Sequence, residues 1–152
     1  MNKTYCIIGT GRQGTAAAYD LLMYANISKL LLMDNNQESI DACMCKLDSF
    51  KSKNNIVTSI IDFNDMQDLK DKLKEVDIFL SSVPYKYNLM LTEIALETCC
   101  SMVDLGGHTG NVIKQLQFHG EAKEKGITLV PDCGMGPGMN VTLGLLAMEQ
   151  LD

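Results

Sequence analysis

The sequence predicts an α/β fold: a doubly wound parallel sheet of about six strands, covered by helices on both faces in three layers. Three observations support this prediction. Short apolar runs alternate with segments of helical periodicity, the runs are apolar on both faces, and a glycine-rich turn follows the first run. The predicted strands cover residues 4–8, 29–33, 56–61, 76–80, 101–103 and 127–130, in the spatial order 3-2-1-4-5-6.

Each predicted strand is followed by a segment with helical spacing of its apolar residues. The predicted helices cover residues 12–24, 37–50, 65–74, 87–99, 109–125 and 139–151. In the fifth helix the spacing directs Val112, Leu116 and Ala122 toward the core, and Gly126 stands where a glycine ends a helix. Helices between successive strands favour right-handed crossovers, and therefore parallel pairing.

Charge and hydropathy exclude several classes of protein. With 13 basic and 19 acidic residues the net charge is −6, and an acidic chain without a basic stripe repels nucleic-acid phosphates. No apolar run approaches the roughly 18 residues of a membrane span. The N-terminus, MNKTYCII, lacks the apolar core of a signal peptide, which predicts a cytoplasmic protein. The length of 152 residues predicts one domain, residues 1–152.

Cysteine spacing supports neither disulfide bonds nor a metal site. The sequence has one C-x-C and one C-C pair, but no C-x-x-C and no pair of nearby histidines. We therefore predict no metal, and buried free thiols in a reducing compartment. The cysteines are Cys6, Cys43, Cys45, Cys99, Cys100 and Cys133.

The turn after the first strand, GTGRQG, has the glycine spacing of a dinucleotide-binding turn. Gly9 allows a tight turn, Gly11 lets the backbone approach a diphosphate, and Gly14 lets helix and strand pack closely. The diphosphate is expected to rest on the N-terminus of the following helix. The alternative is that the glycines only shape the turn. The other residues of the turn are Thr10, Arg12 and Gln13.

An acidic residue, Asp34, ends the second strand 20 positions after the last glycine of the turn. A carboxylate at this place accepts hydrogen bonds from the adenosine ribose hydroxyls and repels a 2′-phosphate. Neither Asn35 nor Asn36 supplies a cation for such a phosphate, so the sequence favours NAD over NADP. Arg12 either lies over the diphosphate or adenine, or points into solvent.

Further residues are predicted to contact the cofactor after the third and fourth strands. Asp62 is placed to meet the adenine edge; its alternative role is to cap the next helix, which Asn64 or Asp65 can also do. Ser82, Val83 and Pro84 follow the fourth strand, where the nicotinamide half is expected to pass.

Two glycine-rich loops follow the last two strands. They are VDLGGHTG, residues 103–110, and PDCGMGPGM, residues 131–139. The carboxyl ends of parallel strands meet at one edge of the sheet, so both loops are expected to face the same crevice as the glycine turn.

Together with GTGRQG and FLSSVPYKYN, these loops resemble the saccharopine dehydrogenase family, and most closely its lysine 6-dehydrogenase-like members. The resemblance runs in register from about residue 4 to the end of the chain. It implies an NAD(P)-dependent oxidoreductase that removes hydride from a carbon bearing an amine nitrogen, in lysine or a related amino acid. Such a protein must hold the C–H bond against the nicotinamide and keep the amine neutral.

The resemblance also implies roles for residues of the second half. Val83, Pro84 and Tyr85 would flank the nicotinamide, and Asp104, Gly106, Gly107 and His108 would line the floor of the active site, beside Asp132, Cys133 and Gly134. Asp104, His108 and Asp132 are the candidate catalytic residues; Tyr85, Gly107 and Cys133 are expected on the substrate side. His108 stands where many relatives have Asn, and it is either a proton acceptor or a loop histidine that bonds only to backbone.

Family enzymes are much longer, and a second domain supplies much of their substrate pocket. We therefore expect the chain to bind a dinucleotide alone, but an amino-acid substrate only with a second domain that it lacks. The last predicted helix is apolar over most of its circumference, which predicts self-association through that helix. Two alternatives remain: a non-catalytic NAD-binding regulatory module, and a dehydrogenase for another amino acid or a polyamine precursor.

Overall fold

The computed structural model describes residues 2–51 and 55–151. Six strands and seven α-helices lie within this part of the chain. The strands are β1 Lys3–Ile8, β2 Ile27–Asp34, β3 Ile56–Ile60, β4 Ile78–Ser81, β5 Ser101–Asp104 and β6 Leu129–Val130. The helices are α1 Arg12–Tyr24, α2 Gln37–Lys46, α3 Met66–Leu73, α4 Asn88–Thr98, α5 Thr109–Leu116, α6 His119–Lys125 and α7 Met139–Glu149. Short 3₁₀ turns cover Asp48–Phe50 and Tyr85–Tyr87.

The six strands form one sheet in the order β3-β2-β1-β4-β5-β6, and every neighbouring pair is parallel. This confirms the predicted doubly wound sheet and its strand order. The order reverses between β1 and β4, so a crevice opens there at the carboxyl edge of the sheet. The loops after β1, β4, β5 and β6 all leave from that edge.

Alternation along the central strands builds a core on each face of the sheet. Ile7 of β1 packs with Leu30 and Leu32 of β2, under α1 and α2. Residues one position away face the opposite core; Cys6 and Ile8 lie there with side chains of α3 and α4. Both faces of β1 and β2 are therefore buried, which confirms the three-layer arrangement.

Several element boundaries differ from the prediction. The N–H of Val76 donates to Leu73 O at 3.1 Å, which closes the turn after α3, and β4 starts only at Ile78. Similarly, the N–H of Ile127 donates to Ala122 O, so β6 is limited to Leu129–Val130. Gly126 has φ +69 and ends α6, as its position predicted.

The predicted helix over residues 109–125 is two helices, and of the residues predicted to face the core, Ala122 is buried, Val112 is half-buried and Leu116 is exposed. Phe118 N donates to Gln115 O and ends α5, while Ala122 N donates to Phe118 O and begins the hydrogen bonding of α6. Leu116 is 59% exposed, whereas Gln115 is 4% exposed. The Gln115 amide donates to the buried carboxylate of Asp104, so the need to satisfy a buried charge outweighs the burial of one leucine.

The prediction of buried thiols is right for half of the cysteines. Cys6, Cys43 and Cys100 are buried, and burial raises the pKa of each thiol, that of Cys100 to about 12. The other three are exposed, because they lie on the outer face of α2, at the left-handed end of α4 and in the last glycine-rich loop. The exposed cysteines are Cys45, Cys99 and Cys133.

Helix α7 extends away from the two cores. Every described side chain in it is exposed, including Leu143 at 54% and Leu145 at 57%. Among the described residues, no helix combines the length and hydrophobicity needed to cross a membrane.

Candidate functional site

The turn between β1 and α1 requires glycine at two positions for packing within the protein. Gly9 has φ +96, and a Cβ there would lie 2.8 Å from Val83 Cγ1 and 2.9 Å from Ser82 O. A Cβ on Gly14 would lie 2.7 Å from Ser82 Oγ and would collide with Gly9 O. These contacts press the turn against the end of β4 and leave no room for larger residues.

Gly11 differs, because nothing in the described protein requires glycine there. Its φ is −63, which any residue adopts, and a Cβ would have no atom within 4 Å. Gly11 is also the N-cap of α1 and makes no side-chain cap, whereas Asn36 caps α2 and Asp65 caps α3. Open space therefore lies beside a helix N-terminus whose N–H groups can bind an anion, as a diphosphate requires.

Asp34 connects the end of β2 to this turn. Its Oδ2 accepts hydrogen bonds from Thr10 N at 2.7 Å and Thr10 Oγ1 at 3.1 Å, and its Oδ1 accepts one from Asn36 N at 3.0 Å. The residue is 9% exposed. A carboxylate has about four acceptor positions, so about one remains for a ligand hydroxyl.

The end of β4 lies against the turn. Ser82 Oγ donates to Ile8 O at 3.1 Å and to Gly9 O at 2.5 Å, and Val83 packs beside Gly9. Pro84 is exposed and leads into the 3₁₀ turn that carries Tyr85.

The remaining predicted cofactor residues are all exposed. Arg12 and Gln13 lie in the first turn of α1, and Asn35 follows β2. Asp62 lies after β3, where its Oδ1 accepts hydrogen bonds from the main-chain N and the Nδ2 of Asn64, both at 2.9 Å. Asp65, not Asp62, caps α3 through the N–H of Asp68.

Asp104 holds the second half of the site together. It is fully buried, and its Oδ1 accepts hydrogen bonds from Gly106 N at 2.7 Å and Asp132 N at 3.0 Å. Its Oδ2 accepts one from Gln115 Nε2 at 2.7 Å. Both glycine-rich loops are thus joined through one carboxylate, which stands beneath the loops rather than at their surface.

Asp132 has a left-handed backbone, with φ +61, and its side chain lies against the other loop. Its Oδ1 accepts a hydrogen bond from Gly107 N at 3.3 Å, and the same oxygen occupies the space that a Cβ on Gly106 would need. Glycine at position 106 is therefore required by this contact. Asp132 is half-buried, and its Oδ2 has no hydrogen-bond partner among residues 2–51 and 55–151.

Tyr85 and His108 form an exposed wall beside these loops. Their rings stack with centroids 5.1 Å apart and planes 17° apart. Asn111 Nδ2 donates to Tyr85 O at 2.8 Å, and Asn111 N donates to His108 Nδ1 at 3.2 Å. Gly107 packs on the same tyrosine, so the predicted substrate-side residues Tyr85 and Gly107 are neighbours.

Cys133, the third residue predicted on the substrate side, faces another space. A cavity of about 400 Å³ is lined by Cys133 and Met135 of the last loop, Gln13 and Ala17 of α1, and Leu80 of β4. The last glycine-rich loop is therefore close to the helix that carries the glycine turn. No group of three or more His, Cys, Asp or Glu side chains in the described ranges could hold a metal ion.

Sequence reasoning missed the buried polar residues below the wall. Gln115 Nε2 donates to Thr92 Oγ1 at 2.9 Å as well as to Asp104, and Thr92 Oγ1 donates to Asn88 O. Asn88 Oδ1 accepts from Ser81 Oγ at 2.8 Å. The available signal was a glutamine among apolar residues of a predicted helix. The helical spacing of Val112 and Leu116 instead suggested that Leu116, and not Gln115, faces the core.

The fold and the turn at Gly9–Gly14 define a dinucleotide-binding domain at the switch point of a doubly wound sheet. A family model, that of the saccharopine dehydrogenase NADP-binding domain, matches residues 5–130 of the chain. The chain belongs to this family and is a binding domain for a nicotinamide dinucleotide.

Solved structures share this fold. Saccharopine dehydrogenase (L-Glu forming) from Saccharomyces cerevisiae aligns with a TM-score of 0.74 and 17% identity over 98% of this chain and 31% of the yeast chain. Shikimate dehydrogenase from Mycobacterium tuberculosis aligns at 0.64, with 11% identity over 87% of this chain and 46% of its own. Shikimate 5-dehydrogenase from Listeria monocytogenes, solved with shikimate and NAD, aligns at 0.57, with 16% identity over 89% and 47%. This chain thus spans less than half the length of each.

The different environments of Gly11 and Gly14 predict different effects of substitution. Gly11→Val should leave a folded domain, with a change in the free energy of unfolding below about 1 kcal/mol, but should block the diphosphate. Gly14→Ala, the control, should cost about 1–3 kcal/mol or more, because its Cβ collides with Gly9 O. Denaturant unfolding and calorimetry with NAD measure both effects. Undiminished NAD affinity in Gly11→Val would remove the turn from the binding site.

Proposed function

We propose that this chain is the cofactor-binding domain of an oxidoreductase that acts on a CH–NH or CH–NH₂ group. In this proposal, hydride passes from an amine-bearing carbon of lysine or a related amino acid to NAD. The observation that carries it is the pair of glycine-rich loops after β5 and β6, joined through buried Asp104 at the same sheet edge as the glycine turn. A domain that only bound a dinucleotide would not need these two loops, which lie beyond the expected position of the nicotinamide.

We propose a role for residues in several loops at the carboxyl edge of the sheet. The helix N-terminus at Gly11 holds the diphosphate, and Asp34 holds the adenosine ribose. Val83, Pro84 and Tyr85 orient the nicotinamide, which supplies the hydride acceptor when the cofactor is bound. Gly107 and His108 are proposed to face the substrate, whereas Cys133 lines the cavity beside α1.

The candidate catalytic residues have different surroundings, which support different roles. All the hydrogen bonds of the Asp104 carboxylate are made to the protein and it is fully buried, so we propose that it positions the loops. Asp132 is the better placed proton acceptor for the substrate amine, because its Oδ2 has no partner within the described ranges. An amine must lose its proton before hydride leaves the adjacent carbon, and a nearby carboxylate promotes that step.

We propose NAD rather than NADP as the cofactor. Asp34 directs a carboxylate toward the ribose position, and the two residues that follow it are both asparagine. Asn36 is already engaged as the cap of α2. A 2′-phosphate would therefore meet the negative charge of Asp34, and neither of the two asparagines offers a positive charge to offset it.

The cofactor preference predicts the effect of changing Asp34. Asp34→Ala should weaken NAD binding by about 1–2 kcal/mol, the scale of lost hydrogen bonds to a charged acceptor, and should narrow the discrimination against NADP. Asp34→Asn is the matched control, since it keeps an acceptor for Thr10 N but removes the charge. Calorimetric titration of each variant with both cofactors measures the changes. Tighter binding of NADP than NAD by the unaltered chain would contradict the role given to Asp34.

If the substrate is an amine, its binding and the binding of NAD should each strengthen the other, although the chain should not catalyse efficiently. Since a second domain is expected to supply much of the substrate pocket, these residues alone should bind an amine weakly: L-lysine or saccharopine at high concentration should tighten NAD binding to a small extent, whereas shikimate, which has no amine, should not. We expect no steady turnover by these 152 residues, because the two loops form one wall and a misplacement of about 1 Å can cost a hundredfold in rate. Titrations and the absorbance of the reduced cofactor test both points. Equal effects of the amines and shikimate would argue for a non-catalytic module, and steady turnover by a monomer would mean a complete enzyme.

We also propose that α7 mediates self-association. Its apolar side chains are 52–65% exposed from Met139 to Met148, and a helix that is apolar around its circumference is normally buried. The double substitution Leu145→Glu and Leu146→Glu should therefore shift the chain toward the monomer. Tyr24→Glu, at the exposed end of α1, is the control. Light scattering measures the mass, and a monomeric unaltered chain at high concentration would refute the proposal.

A further inference from the structure

The contacts of His108 favour one hydrogen-bonding state of its ring. The main-chain N of Asn111, in the first turn of α5, lies 3.0 Å from His108 O and 3.2 Å from His108 Nδ1, so its hydrogen is shared between the two acceptors. A main-chain N–H can only donate, so the contact at Nδ1 is a hydrogen bond only while Nδ1 carries a lone pair. In a neutral imidazole that keeps this contact, the one hydrogen is on Nε2.

The ring is also held in place on its faces. Tyr85 stacks against it, and a Cβ on Gly110 would lie 2.9 Å from Cε1, so that glycine leaves space for the ring. The Asn111 side chain donates to Tyr85 O and fixes the two rings relative to α5. Nε2 has no hydrogen-bond partner in residues 2–51 and 55–151, and the side chain is exposed.

We propose that His108 is a specificity-determining hydrogen-bond donor, whose Nε2–H binds a carbonyl or carboxylate oxygen of the ligand. This inference rests on the function proposed above. A neutral ring that accepts a proton at Nε2 would need its hydrogen on Nδ1, where it would face the N–H of Asn111 and remove the side-chain cap of α5. The side-chain cap and a role as general base are therefore incompatible in one ring arrangement.

The position of His108 indicates which oxygens it can meet. It follows Gly107, whose N–H donates to Asp132, so a donor and a carboxylate stand side by side on one wall. A ligand that offers an oxygen acceptor beside an amine suits this pair. The nicotinamide carboxamide and the carboxylate of an amino acid are the two sources of such an oxygen.

A matched pair of variants separates the donor from the cap. Asn and Asp are both good helix caps, so His108→Asn and His108→Asp should both keep α5, which thermal unfolding verifies. Only the Asn variant keeps an N–H donor. Each variant is titrated with NAD and with ADP-ribose, which lacks the nicotinamide, and then with L-lysine in the presence of saturating NAD.

We expect ADP-ribose affinity to be equal in all three proteins, because it depends on the glycine turn and Asp34. His108→Asp should lose about tenfold in one of the other affinities, the scale of one hydrogen bond, while His108→Asn keeps it. A loss in the ratio of NAD to ADP-ribose affinity assigns the donor to the carboxamide, and a loss for L-lysine alone assigns it to the substrate carboxylate.

Two results would overturn the inference while leaving dinucleotide binding intact: equal affinities in all three proteins, or equal losses in both variants. If the unaltered chain did not bind ADP-ribose at all, the proposed function would fail, and the inference with it. The ADP-ribose titration therefore distinguishes the two failures.

Discussion

A carboxylate can leave water only if hydrogen-bond donors replace the water that it loses, and this requirement organises both halves of the site. Asp34 ends β2 and Asp104 ends β5, and both are buried without an ion-pair partner among the described residues. Loop N–H groups supply most of the donors, from Thr10 to Asp34 and from Gly106 and Asp132 to Asp104. Burying each carboxylate therefore fixes a loop against the sheet.

The buried polar side chains of the described residues fall into two networks, one below each half of the site. Those of the first are Thr10, Thr15 and Asp34, and those of the second are Ser81, Asn88, Thr92, Asp104 and Gln115. Apolar side chains of similar volume often stabilise a core as well or better. Polar residues concentrated at one edge of the sheet therefore favour precise placement of loops over stability. The second network links β4, α4, α5 and both glycine-rich loops, so the proposed substrate wall depends on contacts from several elements.

The sequence was sufficient to predict those features that depend on local pattern. Strand alternation and the order of elements predicted the sheet order, and the spacing of Gly9, Gly11 and Gly14 predicted the turn. What could not be predicted depends on contacts between distant residues. Periodicity alone placed Leu116 in the core, because the need of Asp104 for a donor from Gln115 is invisible in a helical pattern. Asp104 itself was expected at the surface of the site, since sequence cannot show that two loops cover it.

The features that the described protein does not itself explain point to partners outside it. Residues that depart from the local preferences of a stable fold are found mainly at functional sites. Among residues 2–51 and 55–151, no atom would contact a Cβ on Gly11, α1 has no side-chain cap, and the Nε2 of His108 has no hydrogen-bond partner. All three lie at the carboxyl edge of the sheet. The first two occur at the same residue and suit the diphosphate of a dinucleotide, and the third suits an oxygen acceptor in the nicotinamide or in the proposed substrate. Helix α7 is a separate exception, because an apolar surface suits a protein partner rather than a charged small molecule. The proposed ligand binding and the proposed self-association thus involve different residues, and substitutions can separate them.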